Sequence, residues 1–442
     1  METSVTTKTI WKIAVPIMAG NLAQTLISFT DTAFLGHLGI VELGASMMAG
    51  LYYFVFTTMA MGFAIGIQII IARRYGEKEF SKIGSIFQHG ALFIFLIGLL
   101  LFLIIKSLST HLLDFIIDSG NIYSAAMEYI DYRQYGIIFV CFNYLYRALY
   151  IGLSNTKVIT YSTLIMAVTN IVLDYGLIFG KIGLPEMGIG GAALASFIAE
   201  VCTTVFFTIY TYLTIGKAGY GLFSRQKFDK YLTASIFKLA TPTMFQKLFS
   251  FSAWFIFFVL IEKMGEEAIG ISSIVRSVYM ILFIPVFGFL STSNTLTSRL
   301  IGAGQGEMVL PTILKITINC ILCCLPLIAV CAIFPEYVMR IYTDDITLIG
   351  AATPTIYVIC GAIIFQGIGS VYFEAVSGTG STNAALYLEF GILLIYIAFI
   401  YAMTHLSTHI EHVWLAEYVY GALIAIVSYL FVRFAKWQKR KI

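Results

Sequence analysis

The chain has 442 residues, of which 59% are apolar, 15% aromatic and only 12% charged, with a formal net charge of +3. Soluble domains carry roughly 25% charged residues, so a water-soluble globule is ruled out and an all-α integral membrane protein is expected. The small net charge gives no reason to expect a nucleic-acid partner, and the seven cysteines all fall in apolar runs, where Cys acts as a small core hydrophobe rather than as part of a disulfide framework.

Runs of about 20 mainly apolar residues, long enough to cross a hydrocarbon core, occur twelve times. They centre near residues 25, 58, 97, 136, 167, 202, 248, 284, 323, 360, 393 and 425. The first is too long for a signal h-region and no cleavage pattern follows it, so it reads as a retained crossing. With the N-terminus inside, nineteen Lys and Arg fall on the inner side, among them Lys8, Lys12, Arg73, Arg74, Lys217, Arg225, Lys439, Arg440 and Lys441. Only Lys106, Lys181, Lys263 and Arg340 fall outside, which predicts cytoplasmic termini in the inner (plasma) membrane. The segment around Glu374, with no Lys or Arg, reads as a loop.

The longest polar break lies within residues 216–232 and separates six crossings in 1–215 from six in 233–442. A shift of 226 residues, without a gap, places Ile10, Lys12, Ala14, Pro16, Met18, Leu22 and Phe29 on Ile236, Lys238, Ala240, Pro242, Met244, Leu248 and Phe255. The same shift places Gly39, Gly44, Tyr53, Gly62, Phe63, Arg73 and Gly152 on Gly265, Gly270, Tyr279, Gly288, Phe289, Arg299 and Gly378. The halves are copies. Because six is even, they insert in the same orientation, as a parallel repeat of two six-helix bundles. Such a duplicated bundle suits a transporter with a cavity between its halves.

Shared residues are explained by shared packing, so chemistry is sought where the copies differ. Asp31 lies in the otherwise uncharged run from Ile13 to Leu35 and pairs with Phe257 in the other half. Asp174 pairs with Ile400 and Asn170 with Tyr396, so this polar cluster is expected in the N-terminal half alone. An intramembrane acid costs roughly 2.5 to 3.5 kcal/mol on the insertion scale and by default marks function. Asn170 and Asp174 are four residues apart, on one face of the fifth crossing, and can turn together toward Asp31. Two carboxylates and an amide can bind Na⁺ through hard oxygens, or the carboxylates can carry a proton.

Pro16, mirrored by Pro242, can kink its crossing and is a candidate hinge. Glu200, Lys247, Arg276 and Glu389 are further intramembrane charges that can line a substrate path or form internal ion pairs. His405, His409 and His412 would share a face if helical, but their segment reads as a solvated external turn. No phosphate-cradling loop, nucleophile elbow or HExxH pattern is present, so an enzyme is not expected, nor any cofactor beyond a coupling ion.

These residues carry a resemblance to the multidrug and toxic compound extrusion (MATE) transporters. The matching features are Pro16 ahead of Asp31, Leu35-Gly36-x-Leu38-Gly39, Gly152-Leu-Ser-Asn-Thr-Lys157, Asn170-Ile-Val-Leu-Asp174 and Gly190-Gly-Ala-Ala-Leu-Ala-Ser196. The resemblance implies a monomeric antiporter that exports amphipathic, often cationic, organic compounds against Na⁺ or H⁺ by alternating access. It also implies a cation site of Asp31, Asn170 and Asp174, with Ser196 where many members have Thr. Ile27 stands where some members have Tyr, and Ser250 and Gln366 stand where one branch has C-terminal acids, which points to coupling in the N-terminal half. The alternative within the wider superfamily is a flippase for lipid-linked sugars, which Lys247 and Arg276 would serve as part of a cationic cavity.

Overall fold

The computed structural model describes residues 5–216, 219–224, 227–343 and 345–438. Lys217, Arg225, Lys439, Arg440 and Lys441 of the charge pattern lie outside the described residues. The first half contains α1 (Thr7–Leu38), α2 (Ile40–Gly76), α3 (Phe80–Ile116), α4 (Gly120–Arg133), α5 (Ile137–Gly152), α6 (Lys157–Phe179) and α7 (Gly188–Thr214). The second contains α8 (Lys230–Glu262), α9 (Glu266–Gly302), α10 (Val309–Ile333), the short α11 (Pro335–Met339), α12 (Ile346–Gly378), α13 (Thr382–Leu406), the short α14 (Ile410–Trp414) and α15 (Ala416–Phe434). No strand occurs among the described residues.

Eleven of the expected crossings are helices long and apolar enough to span a membrane, α14 and α15 running together as one. The fourth is divided: α4 and α5 are joined through a 3-10 turn at Gln134–Gly136. Glu374 is not in a loop. It sits inside α12 and is 4% exposed. The three histidines do not share one helix either, since α13 ends after His405 at Leu406 and α14 starts beyond His409.

The chain forms two compact units. One takes the chain up to Met18, Tyr75–Lys78 and everything from Phe245 onward; the other takes Ala19–Arg74 and Glu79–Met244. We call them the C-terminal and N-terminal units. Each therefore includes the opening turns of the other half's first helix. In the N-terminal unit, Gly62 of α2 lies against the backbone of Thr243 and Met244 on α8, and Phe63 packs edge-on against Phe237 at 5.9 Å. In the C-terminal unit, Gly288 of α9 lies against Met18 and Ala14 on α1, and Phe289 packs edge-on against Trp11 at 5.4 Å. Gly62, Met244, Phe63 and Phe237 fall on Gly288, Met18, Phe289 and Trp11 under the 226-residue shift, so the repeat extends to individual contacts. Glycine is required here because a side chain would force apart helices that associate in lipid mainly by close packing.

The polar break between the halves is held on α3. Gln88 Nε2 donates to the carbonyls of Leu222 at 2.9 Å and Ser224 at 2.6 Å, and the Asp229 N–H donates to His89 Nε2 at 3.0 Å.

Candidate functional site

Small residues set the stage in the N-terminal unit. At the start of α7, Gly190-Gly191-Ala192-Ala193 carries almost no side-chain bulk, and a Cβ at Gly191 would come within 2.6 Å of the Leu177 carbonyl on α6. This close approach brings Ser196 opposite Asn170, whose Nδ2 donates to Ser196 Oγ at 3.3 Å. α1 is aligned with α6 from both sides: Gly20 meets Ile159 and Thr163, while the Phe34 ring stands 5.7 Å from that of Phe179. Between these anchors Asp31 of α1 neighbours Asp174 of α6. On α6, Thr163, Ala167, Asn170, Asp174 and Ile178 form one buried stripe at helical spacing.

Asp174 is fully buried and Asn170 is 1% exposed. Asp31 Oδ1, both Asp174 oxygens and Asn170 Oδ1 have no hydrogen-bond donor among the described residues. Buried acceptors are nearly always satisfied, and four orphans on these three side chains form a cluster of acceptors without donors. Oxygen donors of this kind suit a hard cation; a proton would serve the carboxylates but not the amide oxygen. The two halves differ sharply at this point. At the positions equivalent to Asp31 and Asn170, the C-terminal unit has Phe257 and Tyr396, stacked at 6.2 Å and covered by Trp414.

The other predicted charges each have a neighbour within their own unit. Glu200 pairs with Arg133 at 2.5 Å in the N-terminal unit. Lys247 pairs with Glu374 at 2.9 Å in the C-terminal unit, and Glu374 also accepts from Asn294 Nδ2 at 3.0 Å. Glu389 accepts from Ser250 at 2.5 Å and Tyr420 at 3.1 Å, while Arg276 lies 5.5 Å above the Phe258 ring. Pro16 lies inside an unbroken α1, two residues before that helix passes from one compact unit to the other.

The C-terminal half has its own buried acids, more of them than the sequence reading names. The C-terminal unit buries Glu374, Glu389 and Glu417, the last accepting from Tyr279, Tyr396 and Gln366 at 2.8 to 2.9 Å. Sequence reading also misses Arg133. The signal is the same as for Asp31, an ionisable residue in an expected crossing, but Arg133 follows closely on Glu128 and Asp131, and Glu417 sits near a run end, where charges are ordinarily solvated. No group of three or more His, Cys, Asp or Glu suited to a metal occurs among the described residues.

A twice-repeated bundle of apolar helices, with unpartnered acceptor oxygens buried inside one copy, is the architecture of a multi-pass membrane transporter. The chain belongs to the MatE family, whose model matches residues 16–176 and 242–402, two stretches related by the same 226-residue shift. Among curated relatives, the probable multidrug resistance protein NorM of Thermotoga maritima is 26% identical, over 98% of this chain and 94% of its own. The probable multidrug resistance protein YoeA of Bacillus subtilis is 20% identical over 97% and 93%. Among solved structures, a MOP superfamily transporter from Pyrococcus furiosus superposes with a TM-score of 0.90 at 20% identity, covering 98% of this chain and 97% of that one. A multidrug resistance MATE family transporter in an outward-facing conformation also superposes at 0.90, with 19% identity and the same coverage.

Proposed function

We propose that this protein is a secondary-active antiporter that exports amphipathic, often cationic, organic compounds in exchange for Na⁺ or H⁺ by alternating access, with its termini in the cytoplasm and its crossings in the inner membrane. The observation that carries the reading is the cluster of four unsatisfied acceptor oxygens on Asp31, Asn170 and Asp174 in the interior of the N-terminal unit. Asp31 and Asp174 supply the negative charge, Asn170 adds a neutral oxygen, and Ser196 holds the amide in place through its hydroxyl. A cation that satisfies these oxygens in one arrangement of the helices and not in the other shifts the equilibrium by that difference in affinity, which is the whole of coupling. The family's curated members are named as probable multidrug resistance proteins, which supports organic cargo.

The flippase alternative leans on Lys247 and Arg276 as a site for lipid pyrophosphate, of which Arg276 lies over the Phe258 ring. The Lys247 ammonium is neutralised by Glu374, which weakens that half of the reading.

The test uses purified protein in liposomes, with efflux of a fluorescent organic cation driven separately by Na⁺ and by H⁺ gradients. Wild type should respond to at least one gradient. Asp174→Asn and Asp31→Asn should fall to the level of protein-free vesicles while eluting as folded protein on size exclusion. Normal gradient-driven efflux by Asp174→Asn would sink the assignment.

A further inference from the structure

The 226-residue shift carries Asn21 onto Lys247 and Arg147 onto Phe373, the residue just before Glu374. Both copies therefore join their first and fourth crossings through a polar pair at equivalent positions, α1 to α5 in one and α8 to α12 in the other. In the C-terminal unit the join is Lys247 Nζ to Glu374 Oε1 at 2.9 Å, a cation met by an acid. In the N-terminal unit it is Arg147 Nη2 donating to Asn21 Oδ1 at 3.4 Å, a cation met by a neutral amide. One join is balanced. The other keeps a full positive charge.

That charge is permanent, because a guanidinium does not give up its proton in a protein. It also sits away from the helix ends: Arg147 lies more than a turn before the end of α5, and Asn21 about four turns into α1. On either side of it α5 is enclosed, with Leu145, Leu149 and Tyr150 fully buried. Arg147 and Asn21 are themselves partly exposed, so the guanidinium is within reach of a ligand. No carboxylate lies within ion-pair distance of Arg147 among the described residues. By contrast, Arg133 is met by Glu200, Lys247 by Glu374, and Arg276 by the face of the Phe258 ring. The bond to Asn21 is long for a hydrogen bond and engages one of the five N–H donors of the guanidinium. Charges inside a crossing that lack a protein partner mark ligand paths.

We propose that Arg147 is a binding site for a carboxylate on the organic cargo, its planar fork donating two parallel N–H bonds to the carboxylate oxygens while Asn21 steadies it from α1. This rests on the antiport reading above and narrows its cargo. Amphipathic molecules that carry a carboxylate beside their cationic group are favoured, and purely cationic ones are repelled by the guanidinium. α1 supplies Asn21 to this contact and Asp31 to the cation cluster, so cargo and cation act on the same helix.

The experiment uses a matched pair of fluorescent probes, a rhodamine with a free carboxylate and its methyl ester, which differ by that one charge. Equilibrium binding to the purified protein in detergent is read by fluorescence anisotropy, and gradient-driven efflux is followed in phosphatidylcholine liposomes with and without phosphatidylglycerol. Wild type should bind the carboxylate dye about tenfold more tightly than the ester. Arg147→Gln should weaken the carboxylate dye about tenfold and leave the ester within about threefold, so that the preference disappears. Asn21→Asp sets an acid beside the guanidinium, as in the other copy, and should weaken the carboxylate dye by a similar factor with Arg147 still in place. Arg147→Lys keeps the charge without the fork and should fall between wild type and Arg147→Gln. Two different substitutions with one dye-selective effect separate carboxylate recognition from damage to packing, and Asn21→Asp carries the test alone if Arg147→Gln does not fold. No preference in wild type, or equal losses for both dyes in the variants, would overturn the proposal. So would a preference that phosphatidylglycerol abolishes, since the guanidinium would then be a site for lipid phosphate rather than for cargo. Because binding needs no gradient, the two readings fail separately. Dye-selective binding without gradient-driven efflux of either dye removes the antiport reading and leaves the carboxylate site, whereas gradient-driven efflux that ignores Arg147 removes the site alone.

Discussion

Lys247 and Glu374 show how a buried charge commits its neighbours. Neither could face lipid alone, and their 2.9 Å contact, with Asn294 as a further donor to the carboxylate, makes the pair tolerable in the C-terminal unit. Removing one partner leaves an uncompensated charge, a loss of about 3–5 kcal/mol, whereas replacing both by apolar residues of similar volume is often neutral. Glu374→Gln should therefore lower the thermal unfolding temperature of detergent-solubilised protein substantially, and Lys247→Met/Glu374→Leu should recover most of that loss. A double variant no more stable than the single one would show that the pair has a role beyond mutual neutralisation. The same physics explains which of these residues can be read from the sequence. Asp31 and Asp174 stand out because they interrupt long apolar runs. Glu374 reads as a loop residue because Gly378, Gly380 and Ser381 lie close behind it, and only its place in α12 reveals that it is buried.

Hydropathy predicts where crossings lie because lipid demands a fixed length of apolar helix, and eleven of them obey that rule. It is silent on how a crossing begins or breaks. The turn at Gln134–Gly136 lies within a run that reads as ordinary helix. The start of α12 is set by chemistry too local for hydropathy. Asp345 Oδ1 accepts the backbone N–H groups of Thr347 at 2.9 Å and Leu348 at 3.3 Å, and the Thr347 hydroxyl at 2.6 Å. These bonds cap the helix and hold the Asp345 carboxyl below the usual carboxylate range, the Thr347 hydroxyl contributing most. With the folded-state pKa depressed, the cap's contribution is fully present above the unfolded value of about 4 and is lost as pH falls through the lower folded value. Asp345→Ala should thus lower the unfolding temperature at neutral pH, and the gap from wild type should close in strongly acidic buffer. A gap that is constant across that range would mean the side chain stabilises α12 by something other than its charge.

The duplication is legible across the whole chain because glycine and proline, which are fixed by backbone geometry, recur at a constant spacing in both copies. The spacing does not reveal that the copies exchange the beginnings of their first helices. α1 passes from the C-terminal unit to the N-terminal unit after Met18, two residues beyond Pro16, and α8 makes the reverse passage after Met244, two residues beyond Pro242. A proline inside a helix lacks the N–H for one backbone bond and costs roughly 3 kcal/mol or more of helix stability, so its presence at both passages keeps each helix easy to bend there. The two helices differ beyond the passage. α1 continues to Asp31, whereas α8 continues to Phe257 at the equivalent position. If bending at Pro16 accompanies cation entry and exit, Pro16→Ala should slow gradient-driven efflux about tenfold or more while leaving the half-saturating cation concentration within about threefold, because the ligands themselves are untouched. Pro242→Ala should raise helix stability in the same way but slow efflux less, since its helix carries no cation ligand. Measuring turnover and cation affinity for both variants in liposomes separates a hinge tied to the coupling site from a shared scaffold feature. Equal effects of the two substitutions, or unchanged transport by Pro16→Ala, would assign both prolines to packing alone.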